Sequence, residues 1–231
     1  MGAVYLIRHG QASFGSANYD RLSDIGRVQA AHCGRYLSAK GLQIDHWFSG
    51  TLERQRDTAR LALDAMGLEH VQVAEDADFN EFDHQAVMAN LLPKLSHEPE
   101  VAAFLDGQGD RKRQFQKVFE RVVDAWIEQD HWDTMESWSD VVKRAAVAME
   151  RTIALAGTGK NIAVVSSGGV ISGVMAAVLQ LTAPVALGMN WSIANTSITK
   201  VFYTGERRSV GYFNHYAYLQ QGADRTLVTY R

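Results

Sequence analysis

Apolar residues follow two rhythms along this chain. Short unbroken runs, Val4-Tyr5-Leu6-Ile7 and Ile162-Ala163-Val164-Val165, have the length and continuity of strands covered on both faces. Elsewhere apolar positions recur every three or four residues, as in Val142, Ala145, Ala146, Met149 and Ile153, which mark one face of a helix beginning near Asp140. Read in order, the pattern predicts a strand at Gly2–Ile7, a helix from about Asp24 to Ala39 and a short strand at Ile44–Phe48. A helix from about Leu52 to Met66 and a strand at Val71–Ala74 follow. Later come a strand at Asn161–Val165, a helix from Gly169 to about Leu179, and two closing strands in "SITKVFY" and "RSVGYF". Ser23 is suited to cap the first helix, with Asp24 in its first turn, and Gly41 and Gly67 supply stops. Strands alternating with helices predict an α/β fold, a three-layer α/β/α sandwich around a mostly parallel central sheet. The charged, largely helical stretch from Gln85 to Trp132 breaks the alternation. It is expected to form a helical cap insertion at about 85–135 within a single domain spanning 1–231.

Composition narrows the setting. The 231 residues are 46% hydrophobic and 21% charged, enough for one sizeable globular core. A net charge of −3 argues against a general affinity for nucleic acid or an anionic membrane, so any anion site must be a local concentration of positive charge. One cysteine, Cys33, excludes an internal disulfide and a multi-cysteine zinc site and suits a reducing compartment. The first residues show no basic stretch followed by a long apolar run, and no segment approaches the roughly 18 apolar residues of a spanning helix. These features predict a cytoplasmic protein. Trp126, Trp132 and Trp138 are expected to pack the cap, and Cys33 to be inert.

Ligands of open parallel sheets bind beyond the carboxyl ends of the strands. Here the first strand exit delivers Arg8-His9-Gly10. The second delivers Ser49-Gly50-Thr51 with Arg54 in the next helical turn, and the third delivers Ser166-Ser167-Gly168-Gly169. The "DFNEFD" loop after the Val71–Ala74 strand adds Glu81. Arginine offers a planar fork that matches two phosphate oxygens and keeps its proton. Glycines at a helix start let backbone N–H groups approach an anion. A neutral imidazole is a nucleophile near pH 7, and neighbouring arginines should keep His9 neutral. Glu81 would protonate a leaving oxygen if a dry site raises its pKa. Gln11, Phe14 and Tyr19 fall in the first loop, where they would meet a substrate. No strand exit carries G-x-G-x-x-G or G-x-x-x-x-G-K-[ST], which disfavours a nucleotide-binding domain.

The segments "YLIRHGQ", "SGTLERQRDTA" and "DFNEFD", followed by "ESWSDVVKR", "ANTSIT" and "FNHYAYL", resemble the histidine phosphatase superfamily, the phosphoglycerate mutase-like fold, over nearly the whole chain. The resemblance implies that His9 becomes phosphorylated, that Arg8 and Arg54 clamp the phosphate, and that Glu81 is the proton donor. Thr58 and Ala59 match the family helix after the second arginine and are expected to pack. Gln11 stands where relatives often carry glutamate, and losing that carboxylate would favour an anionic ligand.

One position departs from the pattern. Where the family has Val-Ser-His-Gly, this chain has Val165-Ser166-Ser167-Gly168. A serine hydroxyl brings no charge, and losing a charge-assisted contact costs about 1.5–3 kcal/mol. Ser167 either contacts phosphate beside the Gly168 backbone or simply caps the helix. His84 and His215 are the candidates to replace the missing imidazole.

The expected activity is a slow or narrow phosphatase acting on a small phosphorylated substrate through phosphohistidine. It would need no cofactor and no metal, because arginines neutralise the charge. The alternative is a degenerate phosphatase that binds a phosphorylated ligand without turnover. A mutase is less expected, since the chain lacks the Trp-rich segment such enzymes carry after the first motif. The oligomeric state is left open, a homodimer included.

Overall fold

The computed structural model describes residues 1–13, 19–107, 110–129, 131–220 and 225–230. Among them six strands form one sheet in the order β3-β2-β4-β1-β5-β6. These are β1 Gly2–Arg8, β2 His46–Ser49, β3 Val73–Glu75, β4 Asn161–Ser166, β5 Ile198–Thr204 and β6 Arg207–His215. The helices are α1 Asp24–Ala39, α2 Glu53–Ala65, α3 His84–Leu91, α4 Pro99–Leu105, α5 Arg111–Ile127, α6 Trp138–Ala156, α7 Gly168–Leu179 and α8 Ala183–Asn190. The α/β architecture agrees with the sequence pattern. β3, β2, β4 and β1 run parallel, β5 joins the far side of β1 antiparallel, and β6 pairs antiparallel with β5. α8 has no counterpart in the predicted elements.

β1 shows why its sequence reads as a continuous apolar run. Ala3, Tyr5 and Ile7 face one side of the sheet, against Cys33 and Leu37 of α1 and Ala59, Ala62 and Leu63 of α2. Val4 and Leu6 face the other side, against Ala145, Ala148 and Met149 of α6 and Val170, Ile171 and Val174 of α7. Both faces are covered, so every position is apolar. α1 buries Gly26, Gln29, Ala30, Cys33, Gly34 and Leu37, the spacing of one helical face. Its start is capped as expected: Ser23 Oγ accepts from Gly26 N at 3.0 Å.

The chain divides into two compact units, residues 1–81 with 143–231, and residues 82–142. The second unit has its own aromatic centre. Trp126 is fully buried, stacks on Phe82 at 4.6 Å, meets Trp138 edge-on at 6.0 Å, and donates Nε1–H to Glu136 O at 2.8 Å. Arg121 grips Glu98 with two hydrogen bonds of 3.0 and 2.7 Å, tying α5 to the start of α4. Among the described residues no helix is long and apolar enough to cross a membrane.

Candidate active site

The parallel register brings two strand exits side by side. Arg8 pairs with Ser166 across β1 and β4, and His9 N donates to Ser166 O at 2.8 Å. From the other side Asn195 Nδ2 donates to His9 O at 3.1 Å, and Thr196 N donates to Arg8 O at 3.0 Å. Thr196 makes this contact with φ at +57°, a conformation that costs a β-branched residue of order 1–3 kcal/mol. The strain is stored directly behind His9.

The imidazole of His9 is buried and its tautomer follows from its neighbours. Gly10 O, which can only accept, lies 2.7 Å from Nδ1. Arg54 Nε, which can only donate, lies 3.1 Å from Nε2. The proton therefore sits on Nδ1, and Nε2 carries a lone pair. Burial pushes the pKa of His9 well below its usual 6.5, and the charges of Arg54 and Arg8 push it the same way. The sequence reading named the arginines as the cause; burial is the larger one.

Arg54 is held from three sides. Its Nη1 forms an ion pair with Asp20 Oδ1 at 2.7 Å, and the other oxygen of that carboxylate accepts from Glu53 N at 2.7 Å. Asp20 thus satisfies the first turn of α2 while aiming the guanidinium. The Tyr19 ring lies 5.7 Å from the guanidinium carbon. Thr58, one turn along α2, donates to Arg54 O at 2.7 Å and accepts from Gly10 N at 2.9 Å. Its role is more than packing, because it links the loop of His9 to the helix of Arg54.

Arg8 is half-buried among carbonyls. Nη1 donates to Ile193 O and to Tyr230 O, the latter at 3.0 Å, while Nε is buried with no partner among the described residues. Burial lowers its pKa to about 10, offset in part by the charges of Glu81 and Tyr19. It stays cationic at neutral pH.

At the third exit Ser167 occupies the cap position of α7, yet its hydroxyl makes no backbone cap bond. Ser167 is fully buried and its Oγ accepts from Gln55 Nε2 at 2.8 Å. The same nitrogen donates to Phe79 O at 3.0 Å. Gln55 Oε1 faces Leu52 N at 3.4 Å. Glu81 Oε2 accepts from Gly169 N at 3.3 Å, which brings the carboxylate to the start of α7. A Cβ on Gly168 would overlap Asn190 Oδ1 and stand 3.7 Å from Arg8 Nε.

The remaining candidates are placed as follows. Gln11 Oε1 accepts from Ser23 Oγ at 2.8 Å and so braces the cap of α1. His84 lies in the second unit with its ring edge-on to Phe119 at 6.4 Å. His215 packs among the rings of Tyr36, Tyr212 and Tyr218. Phe14 lies outside the described residues. Sequence reasoning missed Asp20, Gln55 and Asn190. The Arg54–Thr58 bond had a signal in the i, i+4 spacing on a predicted helix. The Asp20–Arg54 and Gln55–Ser167 contacts join residues 34 and 112 apart, and no local pattern announces them.

These shifts set a pH signature. Nε2 must be unprotonated to act as a nucleophile, so kcat/KM should not fall as pH drops through 6.5; a limb centred there would contradict the burial of His9. An anion held by Arg8 would lose affinity near pH 10 as the guanidinium loses its proton. Stability follows the same linkage. Below about pH 6.5 the unfolded chain takes up a proton on this histidine while the folded chain does not. Folding therefore loses up to about 1.4 kcal/mol per pH unit from this group as pH falls.

A buried imidazole hydrogen-bonded by one arginine and within reach of the charge of another lies at the carboxyl ends of parallel strands in an α/β protein. The model of the histidine phosphatase superfamily (branch 1) matches residues 4–128 and 102–215, and the chain belongs to that superfamily. Among curated relatives it is 32% identical over 89 residues to a 2,3-bisphosphoglycerate-dependent phosphoglycerate mutase of Chelativorans sp. (strain BNC1), a match covering 36% of this chain and 43% of that one. The enzyme of the same name from Azorhizobium caulinodans is 33% identical over 87 residues, 35% and 42% of the two chains. The chain thus spans under half the length of these curated relatives.

Likeness to solved structures is far longer. Phosphoglycerate mutase from Bacillus anthracis str. Sterne aligns with a TM-score of 0.69 at 18% identity, over 96% of each chain. A mycobacterial glucosyl-3-phosphoglycerate phosphatase in complex with VO3 aligns at 0.63 and 24% identity, over 92% of this chain and 98% of that one. Phosphoserine phosphatase from Entamoeba histolytica in complex with 3-phosphoglyceric acid aligns at 0.65 and 19% identity, over 94% and 99%.

Proposed function

We propose that this protein is a phosphatase that hydrolyses a small phosphoric monoester through a phosphohistidine on His9. The Nε2 lone pair attacks phosphorus, an N–P bond forms, and the P–O bond to the leaving group breaks. Glu81 gives its proton to the departing oxygen, then takes one from the water that cleaves the N–P bond and releases phosphate. Arg8, Arg54 and the backbone N–H of Gly168 hold the phosphoryl oxygens, supplying fixed positive charge where charge develops. Ser167 adds no charge, so turnover is slow or confined to a narrow set of esters. The reading rests above all on the 3.1 Å approach of Arg54 Nε to His9 Nε2, which puts a phosphate-binding group against a nucleophile. The curated relatives named above are mutases, while the solved structures include phosphatases whose names point to phosphoserine and glucosyl-3-phosphoglycerate. A small phosphorylated metabolite is the substrate class common to both.

Orthovanadate binding tests the pocket. Arg54→Ala should weaken affinity by roughly 10- to 100-fold, the value of a hydrogen bond to a charged group. An unchanged affinity would remove Arg54 from the site. A second reading, a degenerate phosphatase that binds a phosphorylated ligand without turnover, draws support from Ser167, whose hydroxyl is enclosed and engaged with Gln55. Retention of His9 and Glu81 weighs against it, because binding alone needs neither nucleophile nor proton donor.

A further inference from the structure

The end of α8 adds a polar group that the mechanism above does not use. Asn190 is the last residue of that helix, and its carbonyl accepts from Ile193 N at 3.3 Å. Ile193 in turn gives its own carbonyl to Arg8 Nη1. The turn after α8 is therefore fastened to the guanidinium. Asn190 is half-buried, and its carboxamide makes no hydrogen bond among the described residues. It lies against Gly168, the first residue of α7, where a Cβ would overlap its Oδ1. Arg8 Nε, buried and unpartnered, lies 3.7 Å from that same Cβ position.

Two unspent polar groups thus converge on the start of a helix. A buried guanidinium N–H without an acceptor is unfavourable unless a ligand completes it. Gly168 leaves the approach open, and the first N–H groups of α7 favour an anion there. A carboxamide can turn over about its last torsion at little cost and present Nδ2–H in place of Oδ1. We propose that Asn190 is a substrate-binding residue whose Nδ2–H, together with Arg8 Nε–H, donates to an oxygen of the phosphoryl group. The inference rests on the phosphatase reading of this site and adds a neutral donor to it from α8.

Orthovanadate binding to the full chain tests it, with wild type, Asn190→Ala, Asn190→Asp and Arg54→Ala compared side by side. Asn190→Ala should bind about tenfold more weakly, as expected for a lost hydrogen bond to a charged group. Asn190→Asp, equal in size but anionic and without a donor, should lose more. Thermal midpoints of both should stay close to wild type, because the carboxamide holds no protein group. Should Asn190→Ala lose stability, the equal-sized aspartate variant decides the matter. Wild-type affinity in both Asn190 variants, with Arg54→Ala impaired, would overturn the role of Asn190 and leave the phosphate pocket standing. Wild-type affinity in all three, or no binding by any form, would overturn the phosphatase reading along with it.

Discussion

Replacing His9 with alanine should lower turnover of para-nitrophenyl phosphate by on the order of 10⁴-fold or more, the scale seen when a nucleophile is removed. It should also erase the phosphorylated intermediate. In the proposed mechanism the side chain supplies the nucleophile that first attacks phosphorus, and without it no phosphoenzyme forms for water to hydrolyse. Ser167 is enclosed, and its Oγ is engaged with Gln55. Rapid mixing with a phosphorylated substrate, quenched in alkali to preserve an N–P bond, should label His9 in the wild type and nothing in the variant. Orthovanadate should still bind the variant, because Arg8 and Arg54 remain. A label on serine, or turnover that survives the substitution, would exclude the mechanism. Binding without turnover or label in the wild type would favour the ligand-holding reading instead.

Introducing histidine at Ser167 has an outcome that the sequence alone would misjudge. An imidazole there, as the resemblance expects, suggests a gain in rate. The structure gives that volume to another group, because the Gln55 carboxamide lies 2.8 Å from Ser167 Oγ and both residues are fully buried. An imidazole must displace it. Ser167→His alone should therefore cost about 1–3 kcal/mol through overpacking, a drop of roughly 2–12 °C in thermal midpoint for a chain of this size. Pairing it with Gln55→Ala frees the space. The double variant should recover much of the stability and gain on the order of 10²-fold in kcat, the worth of a positioned donor in the transition state. Differential scanning calorimetry and steady-state kinetics on the three variants read both effects. A single variant as stable as the parent and faster would show that Gln55 does not occupy the room a histidine needs.

The contrast marks what a sequence displays and what it conceals. Ser23 as a cap, Gly41 and Gly67 as stops, and the two-sided burial of β1 are encoded within a few residues, so they can be read directly. Strand exits were equally visible, because Arg8-His9 and Ser167-Gly168 each follow an apolar run. The partners at those exits were not. Ser167 looked like a helix cap or a phosphate contact, and its hydroxyl turned to a glutamine on α2. The helical spacing could assign Arg54 to the first turn of α2, but not the aspartate that orients it. Short α8 escaped notice because eight residues show too little periodicity, and with it went Asn190.

The last described residues are laced into the centre of the molecule. Gln29 Nε2 donates to Leu227 O and to Thr229 Oγ1, each at 2.8 Å; Asn195 N donates to Thr229 O at 2.8 Å; and Arg8 reaches Tyr230 O. Displacing residues 227–230 would therefore pull on the same guanidinium that is proposed to grip the ligand.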